Sequence, residues 1–96
     1  MVASKYTLHR RALMALHQLS GEEQATVRDR LDALAGVPLA QWPAAGAKKL
    51  ATAEPLYLFH VDGTWRVILR AVAGQPPEAL DIFQQERLEL FAGIGD

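Results

Sequence analysis

Ninety-six residues are enough chain for one hydrophobic core and too few for two. Half of them are hydrophobic and 22% are charged, an ordinary globular composition rather than a disordered one. Ten Lys and Arg against eleven Asp and Glu leave a formal charge of −1, so any affinity for nucleic acid or an anionic surface has to come from a local patch.

With no cysteine, disulfides and thiolate zinc sites are excluded. The apolar runs fall far short of the ~20 residues a spanning helix needs, and no basic, apolar leader opens the chain. Cytoplasm is the expected compartment, with no membrane partner, no metal and no cofactor.

The first predicted element is an amphipathic helix in "YTLHRRALMALHQLS", where Leu8, Ala12, Leu13, Leu16 and Leu19 recur at helical spacings with arginine and histidine between them. A short strand over residues 4–8 fits ahead of it. Ser20 and Gly21 then break the pattern. Ser20 suits an N-cap, and Glu22 and Glu23 fall in the first turn of a second helix, where the dipole favours them. That helix runs to about Leu34, with Val27, Leu31 and Leu34 as its apolar stripe and Arg28, Asp29, Arg30 and Asp32 facing mostly outward. So short a linker makes the pair an antiparallel helical hairpin.

Residues 35–47, "AGVPLAQWPAAGA", read as an irregular connection anchored by Trp42. Two β-rich runs then flank Asp62-Gly63, a strong hairpin signal for a two-residue type I′ turn with positive φ at both positions. A third strand is expected over residues 78–83, and "QERLELFAG" closes the chain as a short helix. The expected fold is α+β, a single domain over residues 1–96. In it the N-terminal helical hairpin packs on one face of a small twisted antiparallel sheet.

A two-residue turn pairs Val61 with Thr64, His60 with Trp65 and Phe59 with Arg66. One sheet face then carries Leu56, Leu58, His60, Trp65, Val67 and Leu69, the natural face to bury beneath the helices. The other carries Tyr57, Phe59, Arg66, Ile68 and Arg70, a mixture of aromatics and arginines enriched at interfaces and at phosphate-binding sites. One extra residue at the turn flips one strand and undoes this assignment. A plainer account pairs Arg66 and Arg70 with Glu78, Asp81 or Glu86 as structural ion pairs on the sheet rim.

The order of "YTLHRRALMALHQL", "VRDRLDALAGVP", "KKL", "YLFHVDGTWRVILR" and "ALDIFQQERLELF" resembles the RelE/ParE toxin superfamily of bacterial toxin–antitoxin systems over nearly the whole chain. Its most specific part is the aromatic-Arg-Val-Ile run of residues 65–68 after a Gly turn. The resemblance implies two N-terminal helices on a twisted antiparallel sheet whose open, concave face holds the active residues. It also implies a cognate antitoxin as partner. RelE-like members cut messenger RNA on the ribosome, and ParE-like members poison DNA gyrase.

Residue by residue, the resemblance places Arg66 at the hairpin arginine that steadies the transition-state phosphate. The basic positions of the preceding strand fall within residues 57–60, where only His60 titrates. The C-terminal basic position falls near Gln85, with Arg87 two residues on, and the catalytic tyrosine position is Phe91, which has no hydroxyl. The candidate catalytic residues are therefore Arg66, His60 and Arg87. A cation is present and the acid–base set is thin, which suits a ParE-like or degenerate RelE-like protein better than an efficient ribonuclease.

Lys48 and Lys49 extend the binding candidates Arg66, Arg70, Tyr57, Phe59 and Ile68, or only keep a sheet edge soluble. His9 and His17 lie roughly 12 Å apart along one helix, too far to share a metal, and read as solvated helix residues. His60 either packs half-buried against Trp65 or serves as acid or base. The alternatives to a binding toxin are a ribosome-dependent endoribonuclease and a non-toxic module of the same fold that holds a peptide or a second copy of itself.

Overall fold

The computed structural model describes residues 5–84. In chain order the elements are β1 (Thr7–Leu8), α1 (Arg10–His17), α2 (Gly21–Ala35), two single 3₁₀ turns (Leu39–Gln41 and Pro43–Ala45), β2 (Ala47–Lys49), β3 (Leu56–His60), β4 (Trp65–Arg70) and β5 (Glu78–Gln84). The expected C-terminal helix, with Gln85, Glu86, Arg87 and Phe91, lies outside the described residues.

Local chemistry starts both helices. The Nδ1 atom of His9 accepts from the Arg11 amide at 3.2 Å and caps α1. At α2 the Ser20 hydroxyl accepts from the Glu23 amide at 3.2 Å while the Glu23 carboxylate accepts from the Ser20 amide at 3.0 Å, a reciprocal capping box. Val27, Leu31 and Leu34 are buried as the periodicity predicts, and so are Ala12, Leu16 and Leu19 of the first helical stretch. Leu13 departs from the prediction: it is 37% exposed beside Met14 at 56%. Five apolar residues made the predicted stripe of α1 wider than the core can cover.

The connection after α2 is tied down by Trp42, which is 2% exposed. Its indole donates to the Val37 carbonyl at 3.0 Å, and its ring meets Tyr57 edge-on at 5.0 Å. Gly46, at φ +96°, supplies the left-handed residue that turns the chain into β2. Residues 47–49, expected in part as loop, are thereby a strand.

The sheet has five strands in the order β1-β5-β4-β3-β2. β1 runs parallel to β5, with Thr7 opposite Glu78 and Leu8 opposite Ala79, so the expected antiparallel sheet is in fact mixed. The intervening helices and strands supply the long crossover that a parallel pair requires.

The hairpin between β3 and β4 corrects the predicted register. Val61 donates to Trp65 across the turn at 3.1 Å, leaving Asp62, Gly63 and Thr64 as a three-residue connection. Among the described residues only Gly46 and Gly74 have positive φ, so the type I′ turn does not form. Its place is taken by Asp62, whose Oδ1 accepts from the Thr64 and Trp65 amides, each at 2.8 Å. The extra residue slides β3 by one against β4, pairing Tyr57 with Leu69, Phe59 with Val67 and His60 with Arg66. Period-two alternation then sends Tyr57 and Phe59 into the core and Leu56, Leu58 and His60 to the other face, the reverse of the expected assignment.

One cluster gathers Tyr57, Phe59, Val67, Leu69, Ala79 and Ile82 of the sheet with the buried residues of both helices. Each fully buried apolar side chain there contributes ~1.5–3 kcal/mol. The Arg30 guanidinium of α2 lies 5.8 Å from the centre of the Phe59 ring. A bulge lets β5 meet both demands: Leu69 faces Ala79 but Ile68 faces Asp81, so Leu80 is the extra residue. Without it Ala79 and Ile82, three apart, would point to opposite faces.

Candidate functional site

The sheet face turned away from this core is read from the pairing register. One row across it runs Lys48, Leu58, Ile68, Asp81, and a second runs His60, Arg66, Phe83. A third joins Leu56, Arg70 and Glu78. Directly opposed side chains in such rows have Cβ atoms about 4.5–5.5 Å apart, close enough to act on one ligand.

Arg66 is 6% exposed, the buried charge of the face. Its Nη1 donates to the backbone carbonyls of Asp62 and Trp65, the latter at 3.0 Å, so the guanidinium braces the hairpin turn from within. His60 stands opposite it on β3, with its backbone amide held by the Gly46 carbonyl at 3.0 Å. Although the residue is exposed, the water displaced around its ring by the neighbouring strands pushes its pKa down, and the Arg66 charge pushes it further the same way. The imidazole is therefore neutral at neutral pH and able to accept a proton.

Lys48 and Arg70 are exposed at the two flanks, and Leu58, Ile68 and Phe83 are half-buried between them. The result is an apolar strip crossed by fixed positive charge. It can hold an anion or an acidic segment through charge-assisted bonds while covering apolar surface.

The predicted candidates divide on this geometry. Arg66, Ile68, Arg70, Lys48 and His60 share the face. Tyr57 and Phe59 belong to the core, because the three-residue turn rotates them there. Lys49 pairs with Tyr57 and so stands in the alternate register, exposed on the edge strand β2. His9 caps α1, and His17 is exposed at its last turn. Arg87 lies outside the described residues.

Leu58 and Phe83 complete the face and were missed, and Asp81, expected only as an ion-pair partner on the rim, stands on it with them. The signal for Leu58 was Asp62 followed by Thr64, since an aspartate at the head of a turn can bond the amides two and three residues on and so lengthen the loop. Among the described residues no group of three or more His, Asp or Glu is placed to hold a metal ion, and no helix is long and apolar enough to cross a membrane.

No family model matches the chain, and no curated protein matches it in sequence. Among solved structures, a chain from the crystal structure of the archaeal RelE–RelB complex of Pyrococcus horikoshii OT3 superposes with a TM-score of 0.65. The two are 20% identical, and the match covers 88% of this chain and 99% of that one. The two chains share a fold.

Proposed function

We propose that this chain is the toxin-like component of a toxin–antitoxin pair and acts by binding, through the face that carries Lys48, His60, Arg66 and Arg70. The observation that carries the reading is the convergence of these groups from β2, β3 and β4 around Leu58 and Ile68, in a chain of net charge −1. The RelE-like fold, met in a complex that also holds RelB, supports an antitoxin as the natural cover for such a surface. A partner with acidic and apolar side chains would neutralise the charge and bury the strip. Binding is favoured over cleavage because the Arg66 guanidinium is turned in part onto turn carbonyls. This makes a ParE-like or degenerate RelE-like protein of a single cytoplasmic domain, with a target such as gyrase.

A second reading, a ribosome-dependent messenger RNA endoribonuclease, is favoured by one observation: a neutral His60 directly opposite Arg66. RNA cleavage needs a base for the 2′-hydroxyl and a cation for the phosphorane, and this pair supplies both types.

Inducible expression separates the readings. For the binding toxin, wild-type protein arrests growth, Lys48→Glu/Arg70→Glu relieves the arrest and His60→Ala does not. Loss of arrest in His60→Ala together with ribosome-dependent cuts in messenger RNA establishes the nuclease. Unimpaired growth at high expression of the wild type sinks both and leaves a non-toxic binding module.

A further inference from the structure

A second surface lies along α1 and meets the cationic sheet rows only at Asp81. Its first turn holds Arg10 and Arg11 and no acidic residue. The helix dipole disfavours cations there, and α2 of the same chain obeys the rule with Glu22 and Glu23. The helix dipole therefore gives no reason for two arginines at this end. With His9, Met14, Asp81 and Ile82 they line an open groove of about 580 Å³ between α1 and β5.

Among the lining residues Met14 is 56% exposed. The other wall is a strand edge, because β1 pairs with β5 only at Glu78 and Ala79. Beyond them, among the described residues, no strand covers the outer side of β5, and the Ile82 amide is satisfied by the Asp81 carboxylate at 2.9 Å. Asp81, the acidic residue of the lining, has that oxygen already engaged.

We propose that this groove docks an acidic segment of a partner protein, its carboxylates against Arg10 and Arg11 and an apolar side chain over Met14. Charge complementarity selects the occupant: two guanidiniums concentrated on one helical turn of a chain with net charge −1 call for carboxylates, and the exposed methionine beside them calls for an apolar anchor. A polybasic or purely apolar segment would leave one of these features unanswered. The site stands whether or not the sheet face belongs to a toxin.

The test uses the full chain, isotope-labelled for NMR, titrated with a synthetic peptide of alternating glutamate and leucine and with its lysine–leucine counterpart. The expected result is a set of amide shifts over residues 9–18 with the acidic peptide only. Arg10→Glu/Arg11→Glu should weaken that binding by at least about tenfold, while Lys48→Glu/Arg70→Glu leaves it unchanged. The first double variant should melt no lower than the wild type, since glutamate suits a helix N-terminus, so lost binding cannot be put down to lost folding. Absence of shifts over residues 9–18, shifts there that survive Arg10→Glu/Arg11→Glu, or no binding at all would overturn the proposal. So would a result in which the double variant abolishes only self-association, which would assign the groove to a second copy of the chain.

Discussion

His60 and Arg66 face each other across β3 and β4, a permanent cation opposite a neutral imidazole. The contact exists only because the turn between the strands holds three residues.

The first prediction concerns the charge of His60. Displaced water is the larger cause of its lowered pKa and Arg66 the smaller, so an NMR titration of the ring should give a midpoint below the ordinary 6.5. Above 6.5 the folded and unfolded chains both hold a neutral ring, and the imidazole leaves stability unaffected. As pH falls from there through the folded value, the unfolded chain takes up the proton more readily and stability declines. A midpoint at or above 6.5 would remove the neutral base from the site.

Arg66 and Arg70 should behave differently when truncated. Arg66→Ala removes the guanidinium from the Asp62 carbonyl and one of two donors from the Trp65 carbonyl, which the Val61 amide still reaches, and is expected to cost roughly 1–3 kcal/mol in urea unfolding. Arg70 is exposed, and Arg70→Ala should stay within ~0.5 kcal/mol of the wild type. Equal losses for the two would deny Arg66 its bracing role.

The hairpin register can be checked by a pair of neighbours. Phe59 is 2% exposed in the core, so Phe59→Ala should cost about 3–5 kcal/mol. Leu58, half-buried on the far face, should cost only ~1 kcal/mol when truncated, since little of a cavity opens there. The opposite ranking would mean that the two-residue turn forms after all.

Trp65 reaches α2 through its indole, which donates to Glu23 at 3.1 Å. The Glu23 carboxyl is held below its ordinary 4.5 first by the Ser20 amide, then by this indole, then by the Ser20 hydroxyl. A carboxyl lowered in the folded state contributes stability above 4.5 that is lost as pH falls through the folded value. Trp65→Phe removes one of the three donors, so the loss of stability between neutral and acid pH should be smaller than in the wild type. An unchanged acid limb would show that the indole bond is not made in solution.

Much of the architecture is legible along the chain because it is decided within a few residues. Ser20 and Glu23 close a capping box with each other and need no distant partner. Val27, Leu31 and Leu34 recur with the helical period, so any core that receives one receives all three. Trp42 in a stretch rich in Gly, Pro and Ala announces a tethered loop, and it bonds a carbonyl five residues away.

The candidate site is different in kind. Arg66, Ile68 and Arg70 share a side by period two alone, so the sequence by itself determined that much. Their companions depended on how many residues the turn consumes, and there the carboxylate of Asp62 outweighed the Asp-Gly preference for positive φ. One residue of register exchanges Tyr57 and Phe59 for Leu58 and His60, because alternate side chains of a strand point to opposite faces. The strand character of residues 47–49 and the parallel course of β1 were likewise decided by tertiary structure. Segments of two or three residues hold no periodicity of their own and become strands only where a distant edge, Phe59 to Tyr57 for one and Glu78 to Ala79 for the other, offers them its hydrogen bonds.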